Sequence, residues 1–238
     1  LKMSLKNIFF KTKFTYKIYL YYNLYIRHKG FQKREKYSQW GEDLEIIDFF
    51  QEKKNGTYLD IGCFHPFLLS NTYLLYKKGW QGINIDMNPT SIDLFKIARP
   101  KDLNICSAIS SEPKELKMYY DDPFSPLNTV DEKYYEMSKH IYFKNKKIIK
   151  VQSQKFDNII YDLKIKKIDF INIDVEGLDL EILKQIDLKK FGVSLVAIET
   201  HHVDGTKSKS CDKIFSYLEN LNFLIHRRVG PTSLFRLN

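Results

Sequence analysis

Short runs rich in β-branched and aromatic residues alternate with longer helical stretches from residue 57 to residue 238. This alternation is typical of βα units, in which helices cover a parallel sheet. The run at 193–199 is nearly all apolar, which indicates a strand buried on both faces. The sequence therefore predicts a doubly wound α/β fold whose sheet is mostly parallel and ends in an antiparallel strand.

The predicted strands cover residues 57–61, 82–86, 103–109, 169–174 and 193–199, with a terminal pair at 223–226 and 233–237 joined at Gly230-Pro231. Helices are predicted between Ser70 and Gly79, from Pro89 onward, from Gly177 onward and over 210–221. Residues 110–153 look less regular and contain three prolines. In such folds a long irregular insertion usually covers the site, so we expect a lid there.

The excess of basic residues is confined to the first 36 residues. The chain holds 38 Lys and Arg against 29 Asp and Glu, a net charge of +9. Residues 1–36 contain eight Lys, two Arg and a single acid, Glu35, so residues 37–238 are neutral overall. We therefore expect a basic, aromatic arm at 1–36 and a folded domain at 37–238.

Lysines leave only residues 18–26 of the arm free of charge, too few to span a bilayer. The basic residues that follow argue against a signal peptide. The arm could lie on an anionic membrane surface, pack on the domain or bind a partner. Cys63, Cys106 and Cys211 have no metal-site spacing and favour a reducing, cytoplasmic setting, so we expect a cytoplasmic protein that can associate with a membrane surface.

Acidic residues follow several of the predicted strands, at the sheet edge where open α/β folds bind ligands. Asp60 ends the first strand and is followed by Gly62, which allows a tight turn beside a cofactor. Asp86 ends the second strand, where an acid can accept hydrogen bonds from ribose hydroxyls. Asp174 and Glu176 end the fourth strand and can orient a substituent or deprotonate a hydroxyl.

Histidines collect at the same edge after the fifth strand, where Glu199 is followed by Thr200, His201 and His202. Either histidine is a candidate base. A second interpretation is that Asp174, Glu176, Glu199 and His201 hold a divalent metal that positions a sugar diol. We favour a histidine base over this metal site.

Three motifs together resemble the FkbM-like family of S-adenosylmethionine-dependent methyltransferases. They are Asp60-Ile61-Gly62, the run Ile171-Asn-Ile-Asp-Val-Glu-Gly177, and Ser38-Gln-Trp-Gly-Glu-Asp43. Ser70-Asn71-Thr72 and the segment 79–86 resemble one branch of the family. The resemblance begins near residue 37 and leaves the arm outside.

The resemblance implies a class I methyltransferase (Rossmann-like) fold that binds S-adenosylmethionine. It places Asp60 and Gly62 at the methionine part of the cofactor, Asp86 at the ribose, and Ser107 and Ala108 beside the adenine. Gln39 and Glu42 would close the site, with Ser70 and Asn71 also at the cofactor. Asp174 and Glu176 would face the reacting methyl group. His65-Pro66 departs from the family pattern, because many members have a second glycine in this loop.

The implied reaction is O-methylation of a hydroxyl on a sugar, glycan or other small metabolite, with Glu176, His201 or His202 as the base. Two other functions stay open at this point. A nucleic-acid methyltransferase could use the basic arm to follow phosphates, but a neutral domain makes nucleic acid an improbable partner. A binding module that keeps the fold without catalysis would explain His65-Pro66.

Overall fold

A twisted sheet of seven strands forms the centre of the computed structural model, which describes residues 12–120, 124, 125, 128–130, 132, 135, 136, 147–175 and 177–238. The strands are β1 Thr57–Ile61, β2 Gln81–Asp86, β3 Leu103–Cys106, β4 Ala108–Ile109, β5 Glu115–Tyr120, β6 Lys147–Gln154, β7 Phe170–Ile173, β8 Leu195–Glu199, β9 Phe223–Val229 and β10 Thr232–Leu237. The seven-stranded sheet has the order β3-β2-β1-β7-β8-β10-β9. All of its pairings up to β8 are parallel, and β10 is antiparallel to both neighbours.

This strand order confirms the predicted doubly wound α/β fold and the sheet that the class I methyltransferase resemblance implies. From β1 the chain proceeds outward to β2 and β3, and it later returns to β7 on the other side of β1. The order therefore reverses between β1 and β7, and ligands bind at such a reversal in open α/β sheets.

Helices cover both faces of the sheet. They are α1 Lys13–Tyr22, α2 Glu42–Phe49, α3 Tyr73–Lys77, α4 Pro89–Ala98, α5 Phe156–Ile160, α6 Asp179–Leu183, α7 Leu188–Phe191 and α8 Cys211–Asn220. A π-helical turn, Asn23–Arg27, and two short 3₁₀ helices, Lys29–Lys33 and Tyr161–Leu163, are also present. Alternation along the strands separates the two faces: Leu59 and Ile171 pack in one cluster with α6 and α8, whereas Tyr58 and Phe170 pack in the other with α2 and α3.

Several predicted elements have different bounds in the structure. The strand predicted at 103–109 is two strands, because the N–H of Ser107 bonds the carbonyl of Asp86 and the chain then leaves β2. β3 pairs with β2, and β4 pairs with β6 in a separate three-stranded sheet. The helix predicted from Ser70 begins only at Tyr73, because the Ser70 hydroxyl bonds Arg99.

The described parts of residues 110–153 are more regular than the prolines suggest. β5 and β6 form an antiparallel pair from Glu115↔Gln152 to Tyr120↔Lys147. The helix predicted from Gly177 onward begins at Asp179 and is short, because it ends at Leu183. Ile186 therefore lies after its end. The terminal strands are longer than predicted and meet at Gly230, which has a positive φ of 57°.

The described part of the arm packs on the domain. Leu20 and Leu24 are buried in a cluster with Tyr37, Phe67 and Leu94. In addition, the Tyr16 hydroxyl donates to a carboxylate oxygen of Asp93 at 3.0 Å. Of the three interpretations of the arm, packing on the domain is therefore the one that the structure displays, and the boundary at residue 37 stays a prediction. No helix in the described part of the chain is long and apolar enough to cross a membrane.

A buried guanidinium joins the end of α4 to the central strands. Arg99 is fully buried and donates to the Tyr58 hydroxyl at 3.1 Å, the Thr72 hydroxyl at 2.9 Å and the Ser70 hydroxyl at 2.8 Å. It also donates to the carbonyl of Pro66. The Thr72 hydroxyl donates in turn to Asp60, and the Tyr58 hydroxyl donates to Asp102. Two carboxylates thus balance the buried cation through hydroxyl bridges.

Replacing Arg99 by Met should lower the free energy of unfolding by about 3–5 kcal/mol, because Asp60 and Asp102 lose their balancing charge while buried. Urea unfolding followed by circular dichroism measures the change. Lys101→Met is the matched control, since Lys101 is exposed two residues away, and it should leave the midpoint nearly unchanged. Equal midpoints for both variants would show that the Arg99 network contributes nothing.

Candidate active site

A cavity of about 220 Å³ lies at the carboxyl ends of the strands, where the strand order reverses. The structure brings all nine predicted cofactor residues to its wall, together with one predicted catalytic residue, Asp174. The nine are Gln39, Glu42, Asp60, Gly62, Ser70, Asn71, Asp86, Ser107 and Ala108. These nine residues line one cavity, and their cofactor contacts stay predictions.

Asp60 occupies the floor of this cavity and is held by side chains from two directions. One carboxylate oxygen accepts from the Thr72 hydroxyl at 2.6 Å, and the other accepts from the Asn172 amide at 2.9 Å. Desolvation by burial raises the pKa of Asp60 above its usual value, while these hydrogen bonds and Arg99 oppose the shift. The carboxylate is therefore positioned from both sides before any ligand arrives.

Asn172 is a site residue that sequence reasoning missed. It pairs in register with Asp60 across β1 and β7, so both side chains lie on the same face of the sheet. Its carbonyl oxygen accepts from the Asn71 amide at 2.9 Å. The signal was present in the motif: Asn172 precedes Asp174 by two residues, which places both on one face of β7 and its extension.

Gly62 allows the loops after β1 and β7 to touch. Its φ of +80° is in the left-handed region. A Cβ atom built on it would lie 1.8 Å from the carbonyl oxygen of Asp174 and 2.8 Å from the carbonyl carbon. Both neighbours are backbone, so no side-chain rotation could relieve the overlap. Glycine is therefore required here by backbone geometry and by space.

Asp86 ends β2 with both carboxylate oxygens already engaged by backbone. One accepts from the N–H of Phe64 at 2.9 Å and the other from the N–H of Asn88 at 2.7 Å. Desolvation raises the pKa of Asp86 to about 6. At neutral pH the group is ionised and acceptor-only, and each oxygen keeps a further lone pair for a ligand hydroxyl.

His65 and Pro66 anchor the loop between β1 and α3. His65 is buried, and its Nδ1 accepts the backbone N–H groups of Phe67 and Leu68. The ring proton therefore lies on Nε2, which donates to the side-chain oxygen of Asn23 in the arm at 3.1 Å. Burial lowers the pKa of His65 well below its usual value. The sequence departure from the family pattern thus coincides with a contact between loop and arm.

The box at 38–43 forms the turn that begins α2. The Asp43 carboxylate accepts from the Ser38 hydroxyl at 2.5 Å and from the N–H of Tyr37 at 2.6 Å. The Ser38 oxygen accepts the N–H of Gly41 at 2.9 Å. These bonds explain why the box has this composition, and they bring Glu42 to the cavity wall.

The predicted catalytic residues separate into three groups. Asp174 lines the cavity, as does Glu199 at the end of β8. Glu176 lies outside the described residues. His201 and His202 are not among the described residues that line the cavity: His201 is buried, its Nδ1 lying 2.8 Å from the Thr200 hydroxyl, and His202 is exposed. The roles given to these two histidines stay predictions.

Carboxylates dominate the charge of the cavity. Five line it: Glu42, Asp60, Asp86, Asp174 and Glu199. Among the described lining residues there is no Lys, Arg or His. A cavity of this kind attracts a cationic ligand and repels phosphates. Among the described residues, those of the cavity included, no group of three or more His, Cys, Asp or Glu has the geometry to hold a metal ion.

The predicted lid contributes to the cavity. Leu116 of β5 lines it together with Ser125, Asn128, Thr129 and Val130. The N–H of Thr129 bonds the carbonyl of Tyr119, and the reverse bond is also present, so this part of the insertion is tied to β5. The described residues of the insertion therefore form part of the cavity wall, and its role as a lid stays a prediction.

The family profile described as "Methyltransferase FkbM domain" matches residues 60–225. The match covers well over half of the chain, and the chain therefore belongs to the FkbM methyltransferase domain family. It includes the motif at 171–177 and the whole of β2, β3, β7 and β8 of the central sheet, whereas β1 and β9 lie partly inside it and β10 lies outside. No curated protein matches the chain.

Two solved structures show what the chain is similar to. A SAM-dependent methyltransferase from Aquifex aeolicus is 15% identical, and the match covers 82% of this chain and 89% of that one with a TM-score of 0.37. A low-resolution structure of WbdD is 12% identical, and the match covers 83% of this chain and 34% of that one with a TM-score of 0.36.

Gly62→Ala should lower the free energy of unfolding by about 3 kcal/mol, because the added Cβ meets backbone and φ is positive. Gly205→Ala is a matched control. Its φ of +85° is nearly the same, but no atom lies within 4 Å of the added Cβ. Gly205→Ala should lower the free energy of unfolding by about 1 kcal/mol, from backbone strain alone. Equal losses in urea unfolding would contradict the close approach at Gly62.

Proposed function

We propose that this chain transfers the methyl group of S-adenosylmethionine to a hydroxyl of a sugar, a glycan or another small metabolite. The observation that carries the proposal is the cavity with five carboxylates and no basic side chain among its described lining residues. S-adenosylmethionine brings a sulfonium and an ammonium group, both cations, so an acidic cavity stabilises it. Membership in the FkbM methyltransferase domain family supports methyl transfer.

The residues at the cavity wall fit this cofactor. Asp86 is ionised at neutral pH and can accept hydrogen bonds from the two ribose hydroxyls. Gly62 lines the cavity at the point where the loops after β1 and β7 touch. Asp60 provides a negative charge for the ammonium group, and Ser107 and Ala108 form the wall beyond β3 for the adenine.

Bound S-adenosylmethionine supplies a methyl carbon already activated by its sulfonium. The chain must then hold the acceptor oxygen in line with that carbon, and good alignment lowers a barrier by up to roughly 7–11 kcal/mol in intramolecular reactions. Asp174 and Glu199 lie at the cavity wall where they can accept hydrogen bonds from neighbouring hydroxyls of a sugar. One of them can also take the proton that the reacting hydroxyl loses.

The acidic cavity disfavours a nucleic-acid substrate. Phosphate-binding surfaces usually place Lys and Arg around the active-site mouth. The excess of basic over acidic residues lies instead in residues 1–36. We therefore propose a neutral hydroxyl-bearing acceptor and not a polyanion.

Cofactor affinity should fall below pH 6, because protonation of Asp86 removes an acceptor from the ribose site. With a pKa of about 6, binding at pH 5 should be about tenfold weaker than at pH 7. Isothermal calorimetry with S-adenosylhomocysteine measures this. Asp86→Asn should bind about tenfold more weakly at pH 7 and lose most of the pH dependence. An unchanged pH profile in Asp86→Asn would remove Asp86 from the site, and no binding by the wild type would favour a non-catalytic module.

Asp174→Asn should slow single-turnover methyl transfer by about 10²- to 10⁴-fold if Asp174 is the base. Glu199→Gln tests the other carboxylate of the cavity. His202→Gln should leave the rate unchanged, because His202 is exposed and does not line the cavity. Labelled methyl transfer into candidate glycans provides the assay. A rate lost in His202→Gln and kept in Asp174→Asn would assign the base to the histidine.

A further inference from the structure

The arm helix has two apolar faces, and only one of them packs on the domain. The inner face buries Tyr19, Leu20, Asn23 and Leu24. The outer face exposes a stripe of large apolar side chains. The outer stripe consists of Phe14, Ile18, Tyr21, Tyr22, Tyr25 and Ile26.

The spacing of the outer stripe follows the helix period. Its members lie 4, 7, 8, 11 and 12 residues after Phe14, so they share one side of α1 and the π-helical turn that continues it. Phe14 is 74% exposed and Ile26 is 66% exposed. Exposed apolar residues scattered singly need no explanation, but a continuous stripe of six marks an interaction surface.

Charge indicates what the outer stripe contacts. Lys17 is exposed and borders the outer stripe, three residues after Phe14 and four before Tyr21, and Lys13 is exposed at the start of α1. The first 36 residues contain ten basic side chains and a single acid. An apolar, aromatic stripe bordered by lysines is the pattern of a helix that lies in the plane of a membrane surface. Tyrosine also favours the bilayer interface, because it has an apolar ring and a polar hydroxyl.

We propose that the outer stripe docks this chain on an anionic lipid bilayer, with α1 parallel to the membrane plane. Phe14, Ile18 and Ile26 enter the boundary of the acyl chains, and the lysines meet the lipid phosphates. The inner face stays on the domain, where Asn23 bonds His65 beside the cofactor cavity. The bilayer surface then lies about one helix diameter, roughly 10–12 Å, from that loop.

Vesicle flotation of the full chain tests the proposal without cofactor or acceptor, so its outcome is independent of methyl transfer. The chain should float with vesicles of phosphatidylglycerol and phosphatidylcholine, bind pure phosphatidylcholine more weakly, and lose affinity as salt rises. The triple variant Phe14→Ser, Ile18→Ser, Ile26→Ser should bind at least about tenfold more weakly.

A matched control replaces three exposed apolar side chains elsewhere: Ile148→Ser, Tyr161→Ser and Val203→Ser. It should float like the wild type. A charge pair tests the electrostatic part: Lys13→Glu with Lys17→Glu should lose binding, whereas Lys209→Glu with Lys213→Glu, which makes the same change of charge on exposed residues of the domain, should not. Thermal unfolding of each variant verifies that it is folded.

Three outcomes would overturn the proposal. One is equal flotation of the outer-stripe variant and its control. Another is that the wild type binds no vesicles but forms a dimer in analytical ultracentrifugation, and the outer-stripe variant does not. This result would make the outer stripe a contact between copies of the chain. The third is tight RNA binding that depends on the arm without any lipid binding.

Discussion

The carboxylate of Asp60 is the point on which the cofactor side of this fold depends. Its two oxygens are engaged by Thr72 from the loop before α3 and by Asn172 from β7. Arg99 then connects Thr72, Ser70 and Pro66 to the end of α4. A buried charge is tolerated only when its hydrogen bonds are complete. The position of one acid therefore determines the positions of two loops, a helix end and a neighbouring strand.

The basic excess and the acidic cavity lie in different parts of the molecule, which the net charge alone does not show. The chain carries +9 overall, yet five carboxylates line the cavity. The basic excess lies in the arm, on the far side of the loop that His65 and Pro66 anchor. Separation of this kind lets one protein attract a cationic cofactor at one place and an anionic surface at another, because screening weakens each field within about 8–10 Å at physiological salt.

Much of this architecture could be predicted from the sequence. The central strands were found because runs such as 57–61 and 193–199 are apolar or β-branched throughout most of their length, and the strand ends then located the cavity. The predicted helix starts were less accurate. The Ser70 hydroxyl, for example, accepts a hydrogen bond from the distant Arg99 guanidinium, which no local sequence pattern reveals. The break at Ser107 depends on a bond to the Asp86 carbonyl. His201 follows a strand end as Asp174 does, but adjacency in sequence does not determine which side chains line a cavity.

The hydrogen bond between Asn23 and His65 has a consequence for how the arm opens. While the arm is packed, burial keeps the His65 ring neutral. If the arm separates from the domain by local unfolding, the His65 ring is exposed to water and its pKa returns to the ordinary histidine value of about 6.5. The open form then binds a proton more readily than the packed form does. A fall in pH through this range would therefore shift the equilibrium between the two forms toward the open one.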